Sequence, residues 1–227
     1  TPRLPGFFRE FVNLPVANLL PLPAQVSLEM GAVVEPLAVA LHSMQFASIA
    51  AGDTVAIIGG GPIGLLTVAC AKAAGAKRIW VVEPVAHRRE LAMLLGADVA
   101  LDTTEVGQVV KDTGGRGVDC AIDCAAKAHT TNDAIRMARN AGRVVITGIH
   151  SEMQVAFEMS PLRRKELSVF NVRRSNHESG AALEMIAARP ELFAPLITHT
   201  RPMDRIAEAF AIAEGYQDGV GKIIVKP

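Results

Sequence analysis

The feature that most constrains this chain is a glycine-rich hexad, Gly59-Gly60-Gly61-Pro62-Ile63-Gly64, set between an apolar strand pattern and an apolar helix pattern. A chain that leaves a strand through such a turn and enters a helix at once lays that helix back along the strand. From Asp53 onward this alternation repeats, with short Gly-rich connections. The patterns predict strands over Thr54–Ile58, Arg78–Val82, Val99–Leu101, Val118–Asp123, Arg143–Thr147 and Leu167–Val172. They predict helices over Ile63–Ala74, Pro84–Leu95, Thr104–Thr113 and Ala128–Arg139, and a short one beginning at Ser160-Pro161. Strands separated by single helices imply right-handed crossovers and a parallel sheet. Six of them predict an α/β fold, a doubly wound, six-stranded Rossmann-type domain.

Composition agrees with that architecture. Of 227 residues, 50% are apolar, but only eight Phe, one Trp and one Tyr are aromatic, so the core is built from Ala, Val, Ile and Leu. Such a core suits a sheet covered by helices on both faces. Lys and Arg number 23 and Asp and Glu 23, a balance that speaks against nucleic acid or an anionic membrane as partner. Thr54–Ala71 runs 18 residues without a charge, but its glycines read as strand, turn and helix rather than a membrane span. Cys70, Cys120 and Cys124 cannot form a disulfide framework and point to a reducing, cytoplasmic compartment. Cys120 and Cys124 share a strand face and are expected to pack in the sheet. His42, His150, His177 and His199 show no metal-ligand spacing, and His42 is expected to be a packed or water-bonded residue rather than a ligand.

The two ends read differently. Thr1–Pro23 holds five prolines and two strand-like runs, Phe7–Leu14 and Asn18–Leu22, and resembles the middle of a protein more than its start. Ser27 is a candidate N-cap for a helix over Leu28–Val34, and Pro36 fits the first turn of a second over Leu37–Phe46. After Arg173 the patterns predict helices over Glu178–Ala188 and Arg205–Glu214 and a last strand over Lys222–Val225. The expected division is residues 1–36, 37–172 as the Rossmann-type domain, and 173–227 as a returning segment.

The hexad has a chemical reading as well. Gly59 allows the tight turn, Gly61 lets the backbone approach a pyrophosphate, and Gly64 lets the helix pack against the strand. The first amides of the Ile63 helix, with Pro62 at its first position, then face the phosphates along the helix dipole. Glu83 ends the second strand, where a carboxylate accepts hydrogen bonds from the adenosine ribose hydroxyls and repels a 2′-phosphate. This favours NAD over NADP. His87, Arg88 and Arg89 follow closely and would support the opposite choice, and Glu83 has a plainer reading as a helix cap.

Glu35-Pro36-Leu37-Ala38-Val39-Ala40-Leu41-His42, followed by the glycine loop, resembles the zinc-containing medium-chain dehydrogenases, most of all their sorbitol (polyol) and threonine dehydrogenase branch. Gly6-Phe7-Phe8-Arg9-Glu10-Phe11-Val12, Thr147-Gly148-Ile149-His150-Ser151-Glu152-Met153 and Leu196-Ile197-Thr198-His199 extend the resemblance over nearly the whole chain. It implies that residues 1–36 and 173–227 are parts of a GroES-like catalytic domain. The Cys, His and Glu zinc ligands of that domain are then expected upstream of Thr1. It further implies zinc-dependent oxidation of a secondary alcohol of a polyol or sugar-derived substrate, with NAD(P) accepting the hydride.

By the same resemblance Glu35 falls at the zinc site, as a ligand or through water, and Ile63, Glu83 and Arg88 meet the phosphates and adenosine. Thr147, Gly148 and Ile149 meet the nicotinamide with their backbone. Val172 and Arg173 span nicotinamide and substrate, with Arg173 bonding a substrate hydroxyl. Three departures stand out. Glu83 replaces the family's usual Asp, Ala125-Ala126 replaces Thr/Ser-Gly, and Arg174 replaces an aromatic, which brings an acidic sugar into consideration. The competing readings are a zinc-free, quinone-reductase-like enzyme and a non-catalytic dinucleotide-binding module. Pairing into a homodimer or homotetramer is expected through the uncharged edge run Leu167–Val172.

Overall fold

The computed structural model describes residues 6–227; residues 1–5, which open the first predicted segment, lie outside the described residues. Alternation builds the central sheet. In β1 (Thr54–Ile58), Val55 and Ile57 enter one core and Ala56 and Ile58 the other, all four buried. β2 (Arg78–Val82), β3 (Val99–Leu101), β4 (Val118–Asp123), β5 (Ala138–Ile146) and β6 (Ser168–Asn171) join it in a wholly parallel sheet. The order is β3-β2-β1-β4-β5-β6, the predicted doubly wound arrangement. It reverses between β1 and β4, which leaves a crevice beyond the C-terminal ends of those two strands.

Helices cover both faces. α1 (Leu28–Gly31) is short, and its N-cap Ser27 accepts from Met30 N at 3.2 Å. α2 (Val34–Ala47), α3 (Pro62–Ala73) and α4 (Ala86–Leu94) bury Leu37, Leu65, Val68 and Leu91 against Val55, Ile57, Ile79 and Val81. α5 (Val106–Asp112) and α6 (Thr130–Met137) bury Val109, Ile135 and Met137 against Ala56, Ile58, Trp80 and Val82. α7 (Met159–Arg164) leads into β6, and α8 (Ser179–Ala188) returns to the first face through Ile186. α9 (Pro190–Phe193), β7 (Ile197–Pro202), α10 (Ile206–Glu214) and β8 (Lys222–Lys226) follow, with β7 and β8 paired apart from the main sheet.

Several expectations need correction. Neither Phe7–Leu14 nor Asn18–Leu22 forms a strand; only a 3-10 turn, Val16–Asn18, interrupts that segment. Pro15, Pro21 and Pro23 carry no N–H to donate, and a strand needs a ladder partner. The helix predicted over Leu28–Val34 stops at Gly31, and α2 begins at Val34, so Pro36 lies inside its first turn, where a missing N–H has no cost. α4 begins after Pro84 because Val85 N is bonded by the Glu83 carboxylate. α6 ends at Met137 rather than Arg139, with Lys165 Nζ donating to the carbonyls of Ile135, Arg136 and Ala138. α7 starts at Met159, and Ser160 is not its cap. β7 and α9 fall where no element was predicted. The uncharged run Thr54–Ala71 is β1, the glycine turn and most of α3, and no described helix is long and apolar enough to cross a membrane.

Candidate functional site

Of the three spaced glycines, the fold itself requires two. Gly59 adopts φ +98°, and a Cβ there would stand 3.0 Å from Ala125 N. At Gly64 a Cβ would stand 1.8 Å from Gly59 O, so only glycine lets α3 lie this close to β1. Gly61 has an ordinary φ of −71° and, among the described residues, no atom within 4 Å of its would-be Cβ. Nothing in the described structure asks for glycine there. The open space lies at the N-terminus of α3, which has Pro62 in its first turn and no side-chain cap, so its leading amides face that space with the dipole's positive end. A methyl group on Gly61 would project into this open space, which has room for a pyrophosphate.

Glu83 closes one side. It is only 4% exposed; Oε2 accepts from Gly60 N at 2.5 Å and Oε1 from Val85 N at 2.9 Å. Both amides fix the carboxylate at the end of β2, and each oxygen keeps a lone pair for a ribose hydroxyl. A Cβ on Gly60 would meet Glu83 Cγ at 2.9 Å, so the middle glycine, which the spacing did not single out, makes room for this side chain.

Gly59, Gly61, Pro62, Glu83 and Arg88 line one cavity of about 600 Å³. Of the three basic residues after Glu83, only Arg88 reaches it. Arg89 Nη1 is spent on the carbonyls of Glu83 and Pro84 and on Asp102, and His87 meets Val220 O at 3.2 Å. The cavity also takes in Tyr216, from the far end of the chain, which sequence reasoning missed.

The remaining predicted residues stand outside that cavity. Thr147 is buried, its Oγ1 donating to Ser43 Oγ at 3.0 Å, and Thr147 N and Gly148 N both donate to Asp123 O. A Cβ on Gly148 would meet Ala126 Cβ at 2.6 Å. Ile149 is 88% exposed, Val172 N donates to Ile146 O, and Arg173 is exposed. All five sit beyond the C-terminal ends of β5 and β6, the edge of the sheet that carries the glycine loop. Glu35 is exposed in the first turn of α2 and lines a separate cavity of about 390 Å³ with Asn18, Leu22 and Ser179. Among the described residues no three His, Cys, Asp or Glu side chains gather to hold a metal.

Two buried carboxylates had no warning in the sequence. Asp123 accepts from Ala125 N, Ala126 N, Thr130 Oγ1 and Thr131 Oγ1, which fixes the turn after β4. Glu178 meets His42 Nδ1 at 2.8 Å and accepts from Gln45 and Asn176 N. Burial alone would raise the Glu178 carboxyl, but the Asn176 amide and His42 outweigh it and hold it below its usual value. Burial pushes the thiols of Cys70, Cys120 and Cys124 up to about 12, and Cys120 and Cys124 pack against the core as expected.

Comparison with known proteins places this geometry. The chain is 33% identical to 2-dehydro-3-deoxy-L-galactonate 5-dehydrogenase of Pseudoalteromonas atlantica over 97% of its own length and 65% of that protein's. It is 31% identical to human sorbitol dehydrogenase over 100% of its length and 64% of that protein's. It therefore spans less than two thirds of these relatives. A solved structure from Sinorhizobium meliloti, bound to NADP, superposes with a TM-score of 0.89 at 31% identity, covering 98% of this chain and 66% of that one. Residues 62–188 match the family described as zinc-binding dehydrogenases. Since that match begins at the glycine loop and takes in more than half of the chain, the protein belongs to the zinc-binding dehydrogenase family.

Proposed function

We propose that this chain is the cofactor-binding part of an NAD(P)-dependent oxidoreductase that oxidises a secondary alcohol of a polyol or sugar-derived acid. The observation that carries the reading is Gly61, a glycine that neither backbone conformation nor packing requires, facing the leading amides of α3. The bound nicotinamide accepts a hydride. The residues of this chain bind and orient it: Gly59, Gly61, Pro62, Ile63 and Gly64 at the pyrophosphate, Glu83 and Arg88 at the adenosine end. Thr147, Gly148, Ile149, Val172 and Arg173 act at the nicotinamide and substrate side.

The buried Glu83 carboxylate supports NAD over NADP, although one similar structure holds NADP. The exposed pair Arg173 and Arg174 supports a substrate carrying a carboxylate, and a relative named for a sugar acid agrees with it. In the whole protein Glu35 belongs beside a zinc ion. The described residues do not form a zinc site by themselves. We assign residues 37–172 to the cofactor domain and 1–36 and 173–227 to the catalytic domain, in a cytoplasmic homodimer or homotetramer joined through β6.

Titration of the chain with NADH and NADPH tests the cofactor reading. NADH should bind more tightly, and Glu83→Gln should lose most of that preference by removing the charge that repels a 2′-phosphate. Tighter binding of NADPH to the unmutated chain contradicts the role given to Glu83.

A further inference from the structure

The turn between α10 and β8 brings an aromatic ring to the cofactor cavity. Tyr216 sits there at φ +51°, followed by Asp218 at φ +52° and Gly219 at φ +71°. A left-handed conformation is unfavourable for a tyrosine and persists only where surrounding bonds impose it. Gln217 N donates to Ile212 O and Val220 N to Gln217 O, while Val220 O meets His87 on α4. The turn is thus held against the helix that carries Arg88.

Its ring lies under the Arg88 guanidinium, 4.1 Å from Cζ to the ring centroid. Arg88 Nε is enclosed and has no hydrogen-bond partner among the described residues. Both side chains line the 600 Å³ cavity together with Glu83, whose carboxylate marks the ribose position in the reading above. Tyr216 remains 51% exposed, so the cation covers only part of it.

We infer that Tyr216 is a positioning residue for the adenosine end of the dinucleotide, and that the stacked Arg88–Tyr216 pair forms a wall against which the adenine base packs. The inference rests on the proposed cofactor role and adds a contact made by the returning C-terminal segment. A purine presents a flat π-face and a guanidinium stacked on an aromatic ring presents a flat, cationic one; such stacking is sequence-tolerant and strong enough to orient a base. The guanidinium, stacked on Tyr216 and lining the cavity, adds a positive charge beside a ligand rich in acceptors.

The test uses AMP, which carries only the adenosine half, alongside NADH. Tyr216→Ala should weaken both by about the same factor, on the order of tenfold, the loss of one stacked base. Tyr216→Phe should bind within about twofold of the parent, since the ring and not the hydroxyl stacks. Tyr216 is the chain's single tyrosine. Tyrosine labelled with carbon-13 therefore reports on this ring alone in the unmutated chain, and its signals should shift with AMP and saturate at the binding midpoint. AMP binding that leaves those signals unmoved, with Tyr216→Ala binding as the parent does, overturns the role of Tyr216 and spares the cofactor reading. Failure of the parent chain to bind either AMP or NADH overturns both.

Discussion

At the scale of single residues, one position where this chain departs from its family carries a backbone cost. Ala126 stands at φ +47° in the turn after β4, at a place where the resemblance expects glycine. Its N–H is held by Asp123 Oδ1 at 2.9 Å, so the turn imposes the left-handed conformation on a residue that disfavours it. Ala126→Gly should raise stability by about 0.5–1 kcal/mol, the left-handed penalty less the extra chain entropy of glycine. Chemical denaturation checks this, and a loss of stability contradicts it. The spaced glycines were legible because their chemistry is local: one turn, one helix start, one close packing contact. Gly60 was less so, since its need arises from Glu83, brought beside it only by the pairing of β1 with β2. Tyr216 was not legible at all, because it meets Arg88 through tertiary structure that no local pattern encodes.

Among elements, the opposite end of the sheet is fastened by one carboxylate. Asp119 on β4 accepts from Thr54 N and Thr54 Oγ1 on β1, from both terminal nitrogens of Arg116, and from Arg139 Nε on β5. Burial alone would raise its pKa; Arg116, Thr54 N and Arg139 outweigh this and hold it far below the usual carboxylate range. A depressed carboxyl stabilises the fold fully above its unfolded pKa, near 4, and loses that contribution as pH falls toward the folded value. Asp119→Asn should therefore cost about 2 kcal/mol at pH 7, and the gap to the parent should narrow between about pH 4 and pH 2. Denaturation curves that show a constant gap contradict the account. β1, β2 and β4 were legible from end to end because runs such as Val55-Ala56-Ile57-Ile58 are bounded by Gly or charged residues. β7 was hidden by its polar, half-exposed sequence Ile197-Thr198-His199-Thr200-Arg201-Pro202, whose ladder partner, β8, lies across α10. The runs before Pro23 mislead for the converse reason: they have strand composition but no strand beside them among the described residues.

The whole molecule presents β6 as an outer strand, as the run Leu167–Val172 suggested. Phe170 is half-buried against Phe46, 6.1 Å between ring centroids, so charging it would harm the monomer as well as any pairing. The backbone offers a cleaner probe. Val172 N turns inward to Ile146 O, so alternation turns the N–H of the exposed Asn171 outward. Asn171→Pro removes that donor at a sheet edge, where proline is tolerated. It should convert a dimer to monomers in light scattering while the melting temperature moves by no more than about 2 °C; a dimer unaffected by it contradicts pairing through β6. Titrating NADH into the parent and into Gly61→Ala tests whether this chain holds a dinucleotide over Gly61. Because no atom of the described residues stands within 4 Å of the added methyl group, the variant should melt as the parent does. NADH affinity should nevertheless fall by about tenfold or more, the equivalent of roughly 1.4 kcal/mol of lost pyrophosphate contact. Equal affinity in the two proteins would contradict the account.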